Sequence, residues 1–84
     1  MIKETREFYS GVMLDGREIR GMLAWFGRTP AVRGWVFEDV SKFGAEAWGY
    51  YEVKRKSLRP LSEEEIAQLR LDERKAFDSV LSRH

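Results

Sequence analysis

The chain has 84 residues, of which 43% are hydrophobic and 35% charged, and its formal net charge is +1. This length predicts a single domain over residues 1–84 with a thin core. The absence of cysteine excludes a disulfide scaffold and thiolate metal sites. The near-neutral charge argues against a histone-like electrostatic binder of nucleic acid.

The N-terminal segment MIKETREFYS is charged from its third residue on, which is not the pattern of a signal peptide. The longest uncharged apolar stretch, around residues 21–27, is too short to cross a bilayer. We therefore expect a cytoplasmic protein without a membrane partner.

Residues 12–19, VMLDGREI, contain Asp15-Gly16 between two alternating apolar runs, which predicts a two-residue hairpin turn. The corresponding register pairs Val12 with Ile19. One face of the hairpin would then be largely aliphatic and form the core, with Phe8, Val12, Leu14, Ile19, Leu23 and Trp25. The other face would be half-exposed, with Tyr9, Met13, Glu18, Arg20, Met22 and Phe26.

Gly27 and Pro30 predict a connection over residues 27–31. A third strand is expected over about residues 32–38 and a fourth over about 46–55, joined by a longer turn or a short helical turn. Gly49 inside the fourth strand suggests a bulge or a close backbone approach.

After Pro60, the spacing of Ser62 and Glu65 is that of a capping box and predicts a helix of about twenty residues. One helical face is apolar, with Ile66, Leu69, Ala76, Phe77, Val80 and Leu81. A break at Leu71-Asp72 is the alternative. The predicted fold class is α+β, with a β part over 1–60 and a helix within 61–84. The β part is expected to be a twisted four-stranded antiparallel sheet, or a small open barrel.

In residues 32–38, VRGWVFE, the β-branched Val32 and Val36 form a natural inward-facing side. This orientation would place an aromatic and basic set on the outer face, namely Arg33, Trp35 and Phe37 beside Tyr9, Arg20, Met22 and Phe26. Aromatic rings interleaved with arginine are typical of surfaces that stack single-stranded nucleic acid. In the opposite orientation Trp35 and Phe37 complete the core, and the sequence leaves both orientations open.

A local pattern within residues 21–39 combines Gly21-x-x-x-Trp25-Phe26, Arg33-Gly34-Trp35-Val36-Phe37 and Glu38-Asp39. It resembles the first two strands of cold-shock domains, with Val36 where that family has its second glycine. The resemblance implies that Trp25, Trp35 and Phe37 stack on single-stranded RNA or DNA. It also implies that Arg33 is the basic residue of the second motif.

The predicted function is a small, non-enzymatic module that binds single-stranded RNA or DNA. The candidate binding residues are Tyr9, Arg20, Trp25, Phe26, Arg33, Trp35, Phe37, Lys54, Arg55, Lys56 and Arg59. The alternative is a protein-interaction module, either a homodimer, an adaptor or a small inhibitor of a larger complex, because aromatic residues and Arg also anchor protein interfaces.

Catalytic and metal-binding patterns are not found in the sequence. His84 is the one histidine, and we expect it to be a tail residue rather than a ligand. Neither a nucleophile-base pair nor a glycine-rich phosphate loop stands out. We therefore expect no enzymatic activity, no metal and no cofactor.

Overall fold

The computed structural model describes residues 1–82 and has an α+β fold. Its strands are β1 (Ile2–Val12), β2 (Glu18–Phe26), β3 (Thr29–Trp35), β4 (Trp48–Glu52) and β5 (Arg59–Pro60). Its helices are α1 (Val40–Phe43) and α2 (Glu63–Leu81), with 3₁₀ turns at Phe37–Asp39, Gly44–Ala47 and Arg55–Ser57. The helical turn predicted between the third and fourth strands is confirmed. His84, expected to be a tail residue, lies outside the described residues.

The sheet is antiparallel and has five strands in the order β4-β3-β2-β1-β5, so the prediction of four strands is wrong. The extra strand, β5, has two residues and includes Pro60, which pairs with Tyr9 of β1. A strand this short leaves no alternating pattern to detect. Within residues 1–82 the sheet stays open, although the Lys54 N–H donates to the Val12 carbonyl at 2.8 Å.

The first hairpin turns through three residues rather than two. The Met13 N–H donates to the Arg17 carbonyl at 2.7 Å, which encloses Leu14, Asp15 and Gly16. Gly16 has a φ of 94°, a conformation that favours glycine, and a left-handed third residue is typical of three-residue hairpin loops. The loop therefore shifts the pairing by one residue.

This shift exchanges the two faces of β1 relative to those of β2. Ile19 pairs with Gly11 and not with Val12, so residues 9, 11 and 13 share the face of Ile19. The buried cluster on that face contains Met13, Ile19, Val32, Val36 and Val53. The predicted core position of Leu14 is wrong, because this side chain is 63% exposed at the turn.

Helix α2 covers part of the opposite face of the sheet. Trp35 is buried there in a cluster with Val40, Ala47 and Ala76. Val32 and Val36 do point into the first core, as one of the two proposed orientations required. Trp35 is nevertheless buried, because helix α2 covers the outer face of β3 at this position.

Helix α2 is continuous over its 19 residues, so the alternative break at Leu71-Asp72 is not present. The predicted capping box is confirmed, since the Glu65 N–H donates to Ser62 Oγ and the Ser62 N–H donates to Glu65 Oε1. Arg59 adds two bonds of 2.9 Å to the same carboxylate. Arg59 and the Ser62 N–H together lower the pKa of Glu65 to about 2.

The backbones of β2 and β3 come unusually close in the middle of the sheet. A Cβ atom added to Gly21 would overlap the carbonyl oxygen of Arg33, and one added to Gly34 would lie 2.6 Å from the carbonyl oxygen of Arg20. At Gly49 an added Cβ has no neighbour within 4 Å, so the close approach suggested at that position is not found. The close approach of β2 and β3 therefore depends on the absence of a side chain at Gly21 and Gly34.

The substitution Gly21→Ala should lower the free energy of unfolding by about 2 kcal/mol or more, because backbone must move to admit the methyl group. Gly49→Ala is the matched control and should change it by less than about 0.5 kcal/mol. Urea unfolding followed by circular dichroism measures both values. Equal losses in the two variants would contradict the close approach at Gly21.

The ionised Glu65 should stabilise the fold above about pH 4.5, the ordinary pKa of this carboxyl group. Because the folded-state pKa is lower, this stabilisation should disappear as the pH falls from 4.5 to 2. Urea unfolding of the wild type and of Glu65→Gln between pH 5 and pH 2 tests this, and the difference between the two should shrink over that interval.

Glu64→Gln is the control for this experiment. Glu64 lies in the same helical turn and makes no ion pair within residues 1–82. A difference between wild type and Glu65→Gln that stays constant down to pH 2 would show that the charge of Glu65 has no stabilising role.

Candidate binding surfaces

The structure divides the residues predicted to bind nucleic acid between the two faces of the sheet. Trp25 pairs with Pro30 and shares the face of Ile19, whereas Arg33 and Phe26 lie on the opposite face. The two tryptophans of the cold-shock pattern, Trp25 and Trp35, therefore point to opposite sides. Tyr9, paired with Gly21, lies on the side of Trp25.

Two of the predicted cations are engaged with carboxylates near the start of α2. Arg59 binds Glu65 at 2.9 Å, and Arg20 binds Glu18 at 3.0 Å and Glu65 at 3.5 Å. Phe37 lies apart from both groups, in the 3₁₀ turn after β3, and is 39% exposed. Arg20 and Arg59 therefore connect the sheet to α2 through Glu65, and they do not form one binding surface with Phe37.

One candidate surface surrounds the half-buried ring of Trp25. The guanidinium carbon of Arg55 lies 5.8 Å from the ring centroid, within cation–π distance. Arg55 also donates a hydrogen bond to the carbonyl oxygen of Arg28 in the β2–β3 turn. Lys3 of β1 is the direct partner of Trp25 in the sheet.

The chain after β4 is held against the rest of the sheet by hydrogen bonds in which backbone N–H groups are the donors. The Val53 N–H donates to the Pro30 carbonyl at 3.2 Å, and the Val12 N–H donates to Ser57 Oγ at 2.8 Å. These contacts fix the 3₁₀ turn that carries Arg55. We define the Trp25 edge as Lys3, Trp25, Arg28, Lys54, Arg55 and Lys56.

The charge of the Trp25 edge is uncompensated. Its five cationic residues are exposed, and within residues 1–82 none of them forms an ion pair. The structure thus brings the Trp25 ring together with Lys3 and Arg55, and Arg28, Lys54 and Lys56 lie next to these contacts along the chain.

The second candidate surface lies on the opposite face, where Arg33 is at the centre. Arg33 donates to Glu4 at 2.8 Å, and its guanidinium carbon lies 5.6 Å from the ring centroid of Trp48. The Tyr50 hydroxyl donates to the same Glu4 carboxylate. Phe26 meets Tyr50 edge-to-face at a centroid distance of 5.5 Å. We define the Arg33 surface as Glu4, Met22, Phe26, Arg33, Trp48 and Tyr50.

The Arg33 surface is apolar at its rim and compensated in charge at its centre. Hydrogen bonding from Tyr50, with Arg33 beside it, lowers the pKa of Glu4. The same bond raises the pKa of Tyr50, because it favours the protonated phenol. At neutral pH the Glu4 carboxylate therefore neutralises Arg33, while Trp48, Tyr50 and Phe26 remain 43%, 37% and 39% exposed.

An open groove of about 780 Å³ continues from Trp48 along helix α2. It is lined by Trp35, Ala45, Trp48, Arg70, Glu73, Arg74, Phe77, Asp78 and Val80. Burial raises the pKa of Glu73 in this groove. Phe77 is 55% exposed, although its helical spacing predicted a packed position. Apolar surface therefore extends from the sheet onto the helix.

The sequence patterns do not single out Lys3, Glu4, Arg28, Trp48 or Tyr50 as site residues. The strand period alone would have placed Trp48 and Tyr50 on one face. Which residues of β3 lie beside Trp48 and Tyr50 depends on the pairing of β3 with β4, in which Arg33 opposes Tyr50. That pairing is non-local and is not encoded in a short motif.

No protein-family model, curated protein or solved structure matches the chain. In the part of the chain that the structure describes, there is no group of three or more residues that could hold a metal ion. Helices long and apolar enough to cross a membrane are likewise absent from residues 1–82. The two surfaces are therefore the features from which a function can be inferred.

Removing the negative charge of Glu4 should lower the pKa of Tyr50 towards its ordinary value of 10.0, since the accepting carboxylate raises it in the wild type. Tyrosine ring resonances followed by NMR against pH in wild type and Glu4→Gln measure this change. Tyr51, whose pKa is raised by burial, is an internal control that should not move. An unchanged Tyr50 titration would contradict the Glu4–Tyr50 bond.

Proposed function

We propose that this protein binds single-stranded nucleic acid at the Trp25 edge. The observation that carries the proposal is the partly exposed Trp25 ring, with the guanidinium carbon of Arg55 5.8 Å from its centroid, among cations that have no carboxylate partner within residues 1–82. A ring that already accepts a planar cation can also accept a planar base. Stacking on an aromatic side chain contributes about 1–3 kcal/mol per base.

Uncompensated cations supply the second part of single-strand recognition. Phosphate groups bind cations by displacing counterions, and a carboxylate already paired with the cation competes with them. Arg28 and Arg55 approach each other at the β2–β3 turn, where the Arg28 carbonyl accepts from Arg55. A strand that stacks one base on Trp25 could place its neighbouring phosphates near these side chains.

Single-stranded rather than duplex nucleic acid fits this surface. Stacking on a protein ring needs a base whose face is free, and bases inside a duplex are stacked on each other. The surface offers one ring and few cations, and the net charge of the whole chain is only +1. We therefore expect moderate affinity with little base preference.

Protein interaction is the second candidate function, and the Arg33 surface favours it. The exposed rings of Trp48, Tyr50 and Phe26 surround an arginine whose charge Glu4 already neutralises. Such a surface is poorly suited to phosphate, whereas aromatic residues and arginine are enriched in protein interfaces. An adaptor or a small inhibitor of a larger complex would use this face.

The expected result for Trp25→Leu is binding to fluorescein-labelled oligothymidylate about 5- to 150-fold weaker than that of the wild type, the loss of one stacked base. Trp48→Leu is the matched control, because Trp48 is an exposed tryptophan on the opposite face. Fluorescence anisotropy gives the affinities, and circular dichroism verifies folding. If only Trp48→Leu lost affinity for the oligonucleotide, the nucleic acid would bind at the Arg33 surface and the proposal for the Trp25 edge would be wrong.

The salt dependence of the same binding reaction tests the role of the cations. Arg55→Ala should reduce the slope of log K against log salt by about 0.7, the release of one counterion from single-stranded nucleic acid. Arg74→Ala, which removes an exposed arginine from α2, should leave the slope unchanged. Salt-independent binding, or no binding at low salt, would contradict the proposed function.

A further inference from the structure

Helix α2 has an exposed row of residues on the side that faces away from the sheet. Its buried residues, Leu69 and Ala76, define the side that packs against the rest of the domain. The opposite side of the helix carries only exposed residues, namely Ala67, Leu71, Arg74, Asp78 and Leu81. The steps along this row alternate between four and three residues, the spacing with which one helix packs along another. We define these residues as the outer stripe of α2.

The outer stripe contains apolar residues that a single chain leaves in water. Leu71 and Leu81 are 55% and 54% exposed, and Phe77 beside the stripe is 55% exposed. A helix that packs on one side only normally carries polar residues on its other side. These three side chains therefore form apolar surface on α2 that would be stabilised by burial against a second helix.

Two opposite charges lie between the leucines of the outer stripe. Arg74 and Asp78 are one helical turn apart, and neither of them forms an ion pair within residues 1–82. A second copy of α2 in the parallel direction would place like charges against each other at both positions. In the antiparallel direction each Arg74 meets the partner's Asp78. The order of the two charges therefore favours an antiparallel copy of the same helix.

We propose that α2 packs antiparallel against α2 of a second copy of this chain, forming a two-fold symmetric dimer. With the two-fold axis at the level of residue 76, Arg74 lies opposite the partner's Asp78, and Leu71 lies opposite the partner's Leu81. A shift of one heptad in either direction would instead place a leucine opposite a charged residue. The outer stripe is therefore self-complementary in this register and not in the neighbouring ones.

The apolar and the charged residues of the outer stripe have different roles in this dimer. Burial of Leu71 and Leu81 supplies the driving force for association. The two Arg74–Asp78 pairs determine the direction and the register of the helices, although a buried ion pair adds little affinity. With a net charge of +1 per chain, long-range repulsion between two copies is small.

The residues on the two flanks of the outer stripe would face their own equivalents. Phe77 is on the flank next to Trp48, and the two Phe77 rings would meet near the axis. Lys75 is on the flank next to α1. Its long side chain allows the two ammonium groups to separate into solvent, so this flank does not prevent association.

The Trp25 edge takes no part in this interface. Helix α2 packs on Trp35, whose face of the sheet is opposite to that of Trp25. The inference is therefore independent of the proposed binding of nucleic acid.

Sedimentation equilibrium of the wild type over a range of concentrations should show a monomer–dimer equilibrium. Leu71→Lys places a charge opposite each Leu81 and should raise the dimer dissociation constant roughly tenfold or more. Leu14→Lys is the matched control, because Leu14 is a 63% exposed leucine in the first hairpin turn, and this variant should dimerise like the wild type. Circular dichroism verifies that both variants fold. A wild type that remains monomeric at millimolar concentration would overturn the proposal.

Charge reversal tests the direction of the two helices. Arg74→Asp and Asp78→Arg each place like charges across the antiparallel seam, so each variant alone should dimerise more weakly than the wild type. An equal mixture of the two variants should form a heterodimer, and the double variant Arg74→Asp/Asp78→Arg should recover the wild-type affinity. Single reversals that leave the dissociation constant unchanged would show that the chains do not pair through an antiparallel α2.

Cross-linking tests the register. Because the chain has no cysteine, Leu71→Cys and Leu81→Cys each introduce one thiol per chain. In the proposed register position 71 lies opposite the partner's position 81, whereas equivalent positions are about 15 Å apart along the helix axis, too far for a disulfide. Oxidation of an equal mixture should therefore give a mixed disulfide, identified by mass spectrometry, much faster than either variant alone cross-links. Equal rates in the three samples would contradict an axis at the level of residue 76.

Discussion

The left-handed conformation of Gly16, with a φ of 94°, closes the first hairpin around three residues, and this loop determines the pairing of β1 with β2. Because side chains alternate along a strand, the register decides which set enters the core. Met13 joins Ile19 inside, and Arg20, Met22 and Phe26 are left on the other face with Arg33. The composition of both candidate surfaces depends on this one turn.

Local signals in the sequence were sufficient for the elements whose cause is local. Ser62 and Glu65 predicted the beginning of α2, because a capping box is formed within four residues of chain. The inward orientation of Val32 was predicted from β-branching in the same way. Asp15-Gly16 predicted a hairpin at the correct place with the wrong loop length, since this dipeptide is compatible with loops of two and three residues.

Contacts between distant segments were not predictable in this way. The sequence offered no sign that Pro60 would pair with Tyr9, or that α2 would bury Trp35 on a face that β-alternation alone leaves exposed. The same limit applies to the candidate sites. The Trp25 edge joins β1, the β2–β3 turn and the 3₁₀ turn after β4, so the proximity of Arg55 to Trp25 follows from the complete topology.

The position of Arg55 gives the proposed complex an exchange step. In the free protein the guanidinium carbon of Arg55 lies 5.8 Å from the centroid of the Trp25 ring, and the group donates a hydrogen bond to the Arg28 carbonyl. An incoming base must replace it on the ring, and the released side chain becomes free to meet a phosphate. The net free energy gained from stacking is therefore the difference between the base–Trp25 contact and the Arg55–Trp25 contact that it replaces. Such competition lowers the equilibrium affinity for the nucleic acid. It also lets Arg55 return to the ring and displace the base, which favours rapid dissociation.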